Sequence, residues 1–180
     1  MHSLHDLASL YAFSNLLSVK WANANLGASS PADYGGYYQW AGKRDVSNTS
    51  IYLDWDNCPY HTGSSYESGW TKYITQSPYG TVDNKTTLEA SDDAAAVNLG
   101  GKWRMPTDAE GTELRQSCTW TWTTFNGVRG YMVTSKKNGN SIFLPAAGYR
   151  EYDHLDGVGS YGGYWSSALY TYYPNNANLL

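Results

Sequence analysis

Charge is scarce in this chain. Only 16% of its 180 residues are Asp, Glu, Lys or Arg, 12 basic against 16 acidic, for a formal net charge of −4. With lysine and arginine so few and dispersed, the electrostatic footprint of a nucleic-acid binder is missing. No stretch approaches the roughly 20 apolar residues needed to span a bilayer. Cysteine occurs twice, as Cys58 and Cys118, a spacing unlike any zinc or redox motif. The two are compatible with a disulfide in an exported protein and otherwise with two free thiols. The four His residues are scattered and form no metal cluster. Nucleophile elbows of the Gly-x-Ser-x-Gly type, His-Glu-x-x-His zinc motifs and phosphate loops are all missing. The opening segment has no basic region, and His5, Asp6, Ser9, Ser14 and Asn15 interrupt its apolar residues, so it does not read as a signal peptide.

What the chain has in abundance is tyrosine (17), glycine (18) and tryptophan (8). Large aromatics supply enough burial for an ordered single domain of this length. Tyr and Trp also carry a polar handle on an apolar body, which suits them to binding surfaces.

Residues 101–110, Gly-Lys-Trp-Arg-Met-Pro-Thr-Asp-Ala-Glu, are the most informative run. Trp103 to Met105 reads as a short strand stopped by Pro106, which cannot donate to a ladder. Thr107 and Glu110 have capping-box spacing, and Asp108 adds negative charge at the positive end of the helix dipole, so a helix over 108–117 is expected. A second helix is expected at 92–99, with Ser91 or Asp92 as its cap and Gly100 as its stop.

Elsewhere, Leu4, Leu7, Leu10 or Tyr11, and Leu17 recur at helical spacing, giving an N-terminal helix or extension over 1–18. Strands are expected at Val19–Asn25 and Tyr37–Trp40. Residues 43–90 read as a long irregular stretch. Cys118–Thr124 alternates Cys118, Trp120 and Trp122 against Thr, a half-buried strand. Asn126-Gly127 marks a tight turn, and Gly130–Ser135 with Ser141–Leu144 forms a hairpin around Lys136–Asn140. Tyr149–Gly163 reads as a loop and Tyr164–Ala168 as a strand.

Several blocks in this order carry a resemblance: Val19-Lys-Trp-Ala-Asn-Ala-Asn-Leu-Gly-Ala28, Asp33-Tyr-Gly-Gly-Tyr-Tyr-Gln-Trp-Ala-Gly42, the run at 101–110, Ile142-Phe-Leu-Pro-Ala-Ala-Gly148 and Gly162-Gly-Tyr-Trp-Ser-Ser167. Together they resemble the C-type-lectin-like domain of gut Bacteroidetes surface proteins (the major paralogous domain). That domain is related to formylglycine-generating (sulfatase-modifying) proteins and to the variable proteins of diversity-generating retroelements. The resemblance covers about residues 19–179. It implies an α+β fold with two short helices, small antiparallel sheets and long irregular loops, a domain over 19–180, and an exported or cell-surface setting. Such domains continue further than this chain does, which implies a C-terminal truncation and an open sheet edge through which copies associate.

The resemblance further implies a non-catalytic module that meets a protein or glycan ligand at its C-terminal loops. The residues concerned are Tyr161, Tyr164, Trp165, Tyr170, Tyr172, Tyr173, Asn175, Asn176 and Asn178. Tyr provides contact area at low entropic cost and Asn adapts its hydrogen bonds. Formylglycine-generating relatives act through cysteines late in the fold, and this chain has none after Cys118. The sugar-and-calcium triplets of true C-type lectins also fail to match: Tyr173-Pro174-Asn175 has no acid before the proline, and Trp55-Asp56-Asn57 stands in the wrong order. No cofactor is expected, although the sequence leaves room for a structural calcium. The alternative is a carbohydrate-active enzyme using loop groups such as Glu151, Asp153 and His154; Asp54, Asp56 and Asp156 are further acids of the same kind. Glycoside hydrolysis needs two carboxylates facing one bond.

The capping box gives a first prediction. Thr107→Ala is expected to lower the unfolding free energy by about 1 kcal/mol, measured by urea denaturation; an unchanged midpoint and slope would remove Thr107 as a cap.

Overall fold

The computed structural model of the protein describes residues 13–14, 17–63, 65–172 and 176–180. Over these the chain is mixed α+β, with two helices, small antiparallel sheets and long irregular connections. It divides into two units. One comprises the described residues through Gly36 together with Ala109–Tyr149 and Leu155–Gly163. The other comprises Tyr37–Asp108, Arg150–His154 and Tyr164–Leu180.

In the first unit, β1 (Phe13–Ser14) pairs with β2 (Trp21–Ala22). The expected strand over 19–25 is therefore only two residues long. The chain turns back at Asn25, whose side-chain amide donates to the Tyr34 carbonyl while its own carbonyl accepts from Ala28 N–H. The expected N-terminal helix does not extend through 13–14, which are extended; residues 1–12 lie outside the described residues. The helix Asp108–Ser117 has the expected bounds and buries Gly111 and Leu114. Its C-terminal carbonyls are met by two residues: Lys136 donates its backbone N–H to Ser117 O and its Nζ to Gln116 O, and the Trp120 indole N–H donates to Leu114 O.

That helix leads directly into a three-stranded antiparallel sheet, β3 (Cys118–Phe125), β4 (Val128–Ser135) and β5 (Ser141–Pro145). Asn126 and Gly127 form the two-residue β3–β4 loop with φ of 48° and 82°. A turn with φ positive at both central residues matches the strand twist and favours Asn-Gly.

The expected alternation along β3 holds only for its first half. Near the helix, Cys118, Val133 and Ile142 share one buried face of the sheet. Toward the Asn-Gly turn, burial moves to the opposite face, where Gly130, Phe143 and Pro145 are buried. Trp122, expected to face inward with Cys118 and Trp120, is instead 42% exposed and lies against Tyr131 across the ladder, ring centroids 4.9 Å apart. A strand covered on different faces at its two ends cannot show one period along its whole length.

In the second unit, Tyr37–Trp40 is not a strand. The Tyr37 N–H is taken by the Asp45 carboxylate and the Ser47 hydroxyl, so no ladder forms there. Trp103–Met105 is also not a strand, because the Met105 N–H donates to Asp93 Oδ2. The long 43–90 stretch is irregular, as expected, yet held at particular points. Asp54 caps a single 3-10 turn, Trp55–Asn57. The buried His61 ring packs edge-on between Trp55 and Trp70, and its Nε2 faces the carbonyls of Ser65 and Ser68 at 3.1 and 2.9 Å. Two acceptors at one nitrogen place the ring proton there. Gly80 passes so close to Trp70 that any side chain would meet the Trp70 carbonyl at 2.0 Å.

The core of this unit gathers around one carboxylate. Asp92, 1% exposed, accepts from Lys72 Nζ (2.6 Å), Tyr60 Oη (2.5 Å) and Tyr73 Oη (2.6 Å). Lys72 lies over both tyrosine rings, about 5 Å from each centroid, and also pairs with Glu89. Trp40, Leu88 and Leu169 pack against these rings with Ala41. Because Asp92 is committed here, the first helix begins later than expected, at Ala94–Leu99. Its cap is Asp93, whose carboxylate accepts from the N–H groups of Ala95 and Ala96; Gly100 ends the helix as expected. The strand at the C-terminal end, β8 (Trp165–Leu169), pairs with β9 (Ala177–Leu179) on one edge. On its other edge it bonds to Thr86, Leu88 and Pro106.

Burial alone would raise the Asp92 pKa, but hydrogen bonds from Lys72, Tyr60 and Tyr73 outweigh it and bring it from 3.8 to about 2. Burial likewise lowers the Lys72 pKa, and its bonds to Asp92 and Glu89 more than reverse that. A depressed carboxylate pKa stabilises the fold above the unfolded value and loses that contribution as pH falls toward the folded value. Acid unfolding is therefore expected to set in between about pH 4 and 2, and Asp92→Ala to cost about 1–3 kcal/mol by leaving the Tyr60 and Tyr73 hydroxyls without their acceptor and Lys72 with Glu89 alone. Chemical denaturation of both proteins as a function of pH checks this: an Asp92→Ala stability within 1 kcal/mol of wild type would show that the carboxylate is not an anchor.

Candidate functional site

The sequence directs attention to the C-terminal loops, and the hairpin β8–β9 carries most of the residues concerned. Trp165 starts β8 with its ring turned inward: its indole N–H donates to the Tyr38 carbonyl at 2.9 Å. Trp40 makes the complementary bond, donating to Ser166 O at 3.0 Å. These two indoles tie the hairpin to segment 38–40, so Trp165 serves the fold. Tyr164 is half-buried and Asn178 lies half-buried within β9. Beyond Leu169 the chain emerges. Tyr170 is 39% exposed and Tyr172 75% exposed, with ring centroids 5.8 Å apart. Asn176 is exposed, and its carbonyl accepts from the Tyr170 N–H. Tyr173 and Asn175 lie outside the described residues. The Gln76 amide holds the loop by donating to the carbonyls of Thr171 (3.2 Å) and Tyr172 (3.1 Å).

Tyr161 belongs to the other unit. It stacks on Tyr149 at 5.8 Å, and both hydroxyls point to Asp156 Oδ2. The sequence grouped Tyr161 with the C-terminal residues by proximity along the chain; its partners here are Tyr149 and Asp156.

Two residues of the alternative catalytic reading, Asp153 and His154, stand in water. The side chains of Asp153 and His154 are 64% and 56% exposed, with Asp153 Oδ1 and His154 Nδ1 3.3 Å apart. Glu151 is half-buried in the strand β6 (Tyr149–Glu151), which pairs with β7 (His154–Asp156). An exposed Asp–His pair lacks the water-excluded setting in which acid–base groups are tuned. Asp54, one of the further acids singled out, is occupied as the cap of its 3-10 turn. Among the described residues, no group of three or more His, Cys, Asp or Glu side chains is arranged to hold a metal ion. No helix among them is long and apolar enough to cross a membrane.

Sequence reasoning missed one aromatic arrangement, the stack of Tyr52 on Tyr152, ring centroids 5.3 Å apart and 20° from parallel. The two residues are 100 positions apart, and the bridge between Leu53 and Tyr152 brings them together. The one local signal is that each tyrosine stands within two residues of an aspartate in a polar loop.

With this geometry in place, comparison with known proteins adds no relative: no family model, curated protein or solved structure matches the chain.

Both cysteines are free thiols. Burial raises the pKa of Cys58, and the Asp54 charge adds to the effect. Burial also raises that of Cys118, which Lys136 opposes. A thiol held in its protonated form is a poor nucleophile. Thiol titration with an aromatic disulfide reagent is expected to find two thiols after denaturation and a slow reaction, slowest at the buried Cys118, in the native protein. A single immediate equivalent assigned to Cys118, or no thiols in the denatured protein, would contradict the arrangement.

Proposed function

We propose that this protein is a non-catalytic binding module with a C-type-lectin-like fold, recognising a protein or glycan ligand through aromatic side chains on its irregular loops. The observation that carries the reading is the number of aromatic rings left in solvent. Nine described Tyr and Trp residues are more than a third exposed, and eight of them form four ring pairs: Tyr52–Tyr152, Trp122–Tyr131, Tyr149–Tyr161 and Tyr170–Tyr172. Exposed apolar residues scattered singly need no explanation, whereas grouped ones mark interaction surfaces. Tyrosine on a pinned loop is a low-entropy contact, and Gln76 holds Tyr172 in this way.

The family assignment rests on the ordered sequence blocks. It is supported by a mixed fold with two helices, small antiparallel sheets and a long irregular middle. With it come the further parts of the proposal: an exported or surface setting, a ligand face at residues 170–176, and variation of that face by a retroelement. The enzymatic alternative has less behind it, because Asp153 and His154 are solvated.

The test combines binding with turnover. The protein is incubated with a panel of insoluble polysaccharides, and both depletion from solution and release of reducing sugar are measured. Depletion without sugar release is expected on at least one polysaccharide or, failing that, saturable binding to a protein bait. Tyr170→Ala/Tyr172→Ala/Tyr173→Ala is expected to abolish binding while leaving the melting temperature nearly unchanged. Sugar release would establish the enzymatic reading, and a triple variant that fails to fold would show these tyrosines to be core.

A further inference from the structure

The stack of Tyr52 on Tyr152 is built with more care than a chance surface contact requires. Leu53 and Tyr152 form an antiparallel bridge, with Leu53 N–H donating to Tyr152 O at 3.0 Å and Leu53 itself buried. In that register Tyr52 lies across from Asp153, and Asp54 across from Glu151. The Arg150 guanidinium fastens both segments from behind, donating to the carbonyls of Val46, Ile51 and Tyr152. Tyr152 sits at φ 47°, a conformation uncommon for a side-chain-bearing residue, which turns its ring onto that of Tyr52. The rings are nonetheless 57% and 41% exposed, and Ile51 beside them is 42% exposed. A fixed backbone thus carries an aromatic surface that is offered to solvent.

The charge around it has one sign. Segments 51–57 and 150–154 contain four carboxylates, Asp54, Asp56, Glu151 and Asp153, against one arginine. That arginine is spent on backbone carbonyls and meets none of the four through a hydrogen bond. The negative charge is felt at the ring: the Tyr52 hydroxyl is held above its ordinary pKa, first by burial and then by Asp54, Tyr152 and Asp153. An aromatic face bordered by carboxylates is complementary to a guanidinium, which stacks flat on a ring and ion-pairs at its rim.

We infer that the Tyr52–Tyr152 stack, with Asp153 and Asp54 at its border, is a docking platform for an arginine-bearing peptide segment. Arginine is favoured over lysine because a planar cation covers more of a ring face than an ammonium does. The platform is separate from the 170–176 loop and does not depend on the ligand proposed for that loop.

The experiment uses fluorescein-labelled hexaarginine, with hexalysine and a neutral peptide of equal length as controls, followed by fluorescence anisotropy at low ionic strength. Saturable, salt-sensitive binding of hexaarginine is expected, tighter than hexalysine. Tyr52→Ala combined with Asp153→Asn is expected to weaken it about tenfold, as a cation–π contact and an exposed ion pair are lost together. Glu67→Gln, which removes an exposed charge elsewhere, is expected to leave binding unchanged. Tyr52→Leu keeps the apolar bulk without the aromatic face and is expected to weaken binding about threefold, which covers the case that the double variant misfolds. Absence of saturable binding overturns the proposal, as does an equal loss in Glu67→Gln. Retention of a neutral polysaccharide that is lost in Tyr52→Leu, with hexaarginine binding intact, overturns it as well and assigns the stack to a glycan.

Discussion

The second unit depends on one carboxylate kept out of water. An ionised Asp92 buried alone would be strongly disfavoured; with an ammonium and two phenols donating to it, it becomes the centre around which the chain is arranged. Lys72 brings segment 72–74, Tyr60 brings the 3-10 region, and Glu89 brings the start of the first helix. A satisfied polar centre of this kind specifies one arrangement more narrowly than apolar contact does, because every partner has a direction. This suits a unit whose apolar core, Ala41, Tyr73 and Leu169 with their neighbours, is small.

The same economy extends to the loops. Where regular ladders are missing, single side chains bond to main chain. Asp83 accepts from the N–H groups of Tyr73, Ile74 and Lys85, and Asn98 donates to the carbonyls of Lys43 and Ala94. With Trp40, Trp165, Gln76 and Arg150 acting likewise, long irregular segments acquire fixed positions without secondary structure. Contacts presented from such segments lose less freedom when a partner arrives, which is the advantage of preorganisation.

Features set by neighbouring residues were legible in the sequence. The helix at 108–117, the Asn126-Gly127 turn, the hairpin strands and the Gly100 stop follow from local patterns, and the structure has them. What was illegible depends on distant partners. Asp92 and Asp93 are chemically identical neighbours, and only the positions of Lys72, Tyr60 and Tyr73 decide which of them caps the helix. Tyr37–Trp40 and Trp103–Met105 have strand-like composition, but side-chain acceptors claim their N–H groups. Among the candidate site residues, exposure of Tyr170 and Tyr172 agreed with their setting beside proline and asparagine. The inward ring of Trp165 and the assignment of Tyr161 to the other unit required contacts that no local pattern encodes.

Each unit is assembled from three separate stretches of chain, so the polypeptide alternates between them over six consecutive segments. Neither unit is a contiguous piece that a gene fragment would encode. During synthesis, the first cannot be completed until residue 163 has emerged, nor the second until the strand at 177–179 has. The usual order for a growing chain, with the N-terminal part folded before the next is made, is therefore closed to this protein. Early aromatic residues whose partners come late, such as Trp40 with its acceptor on Ser166, must wait incompletely packed, and the low density of charge along the chain offers little protection against association in that interval.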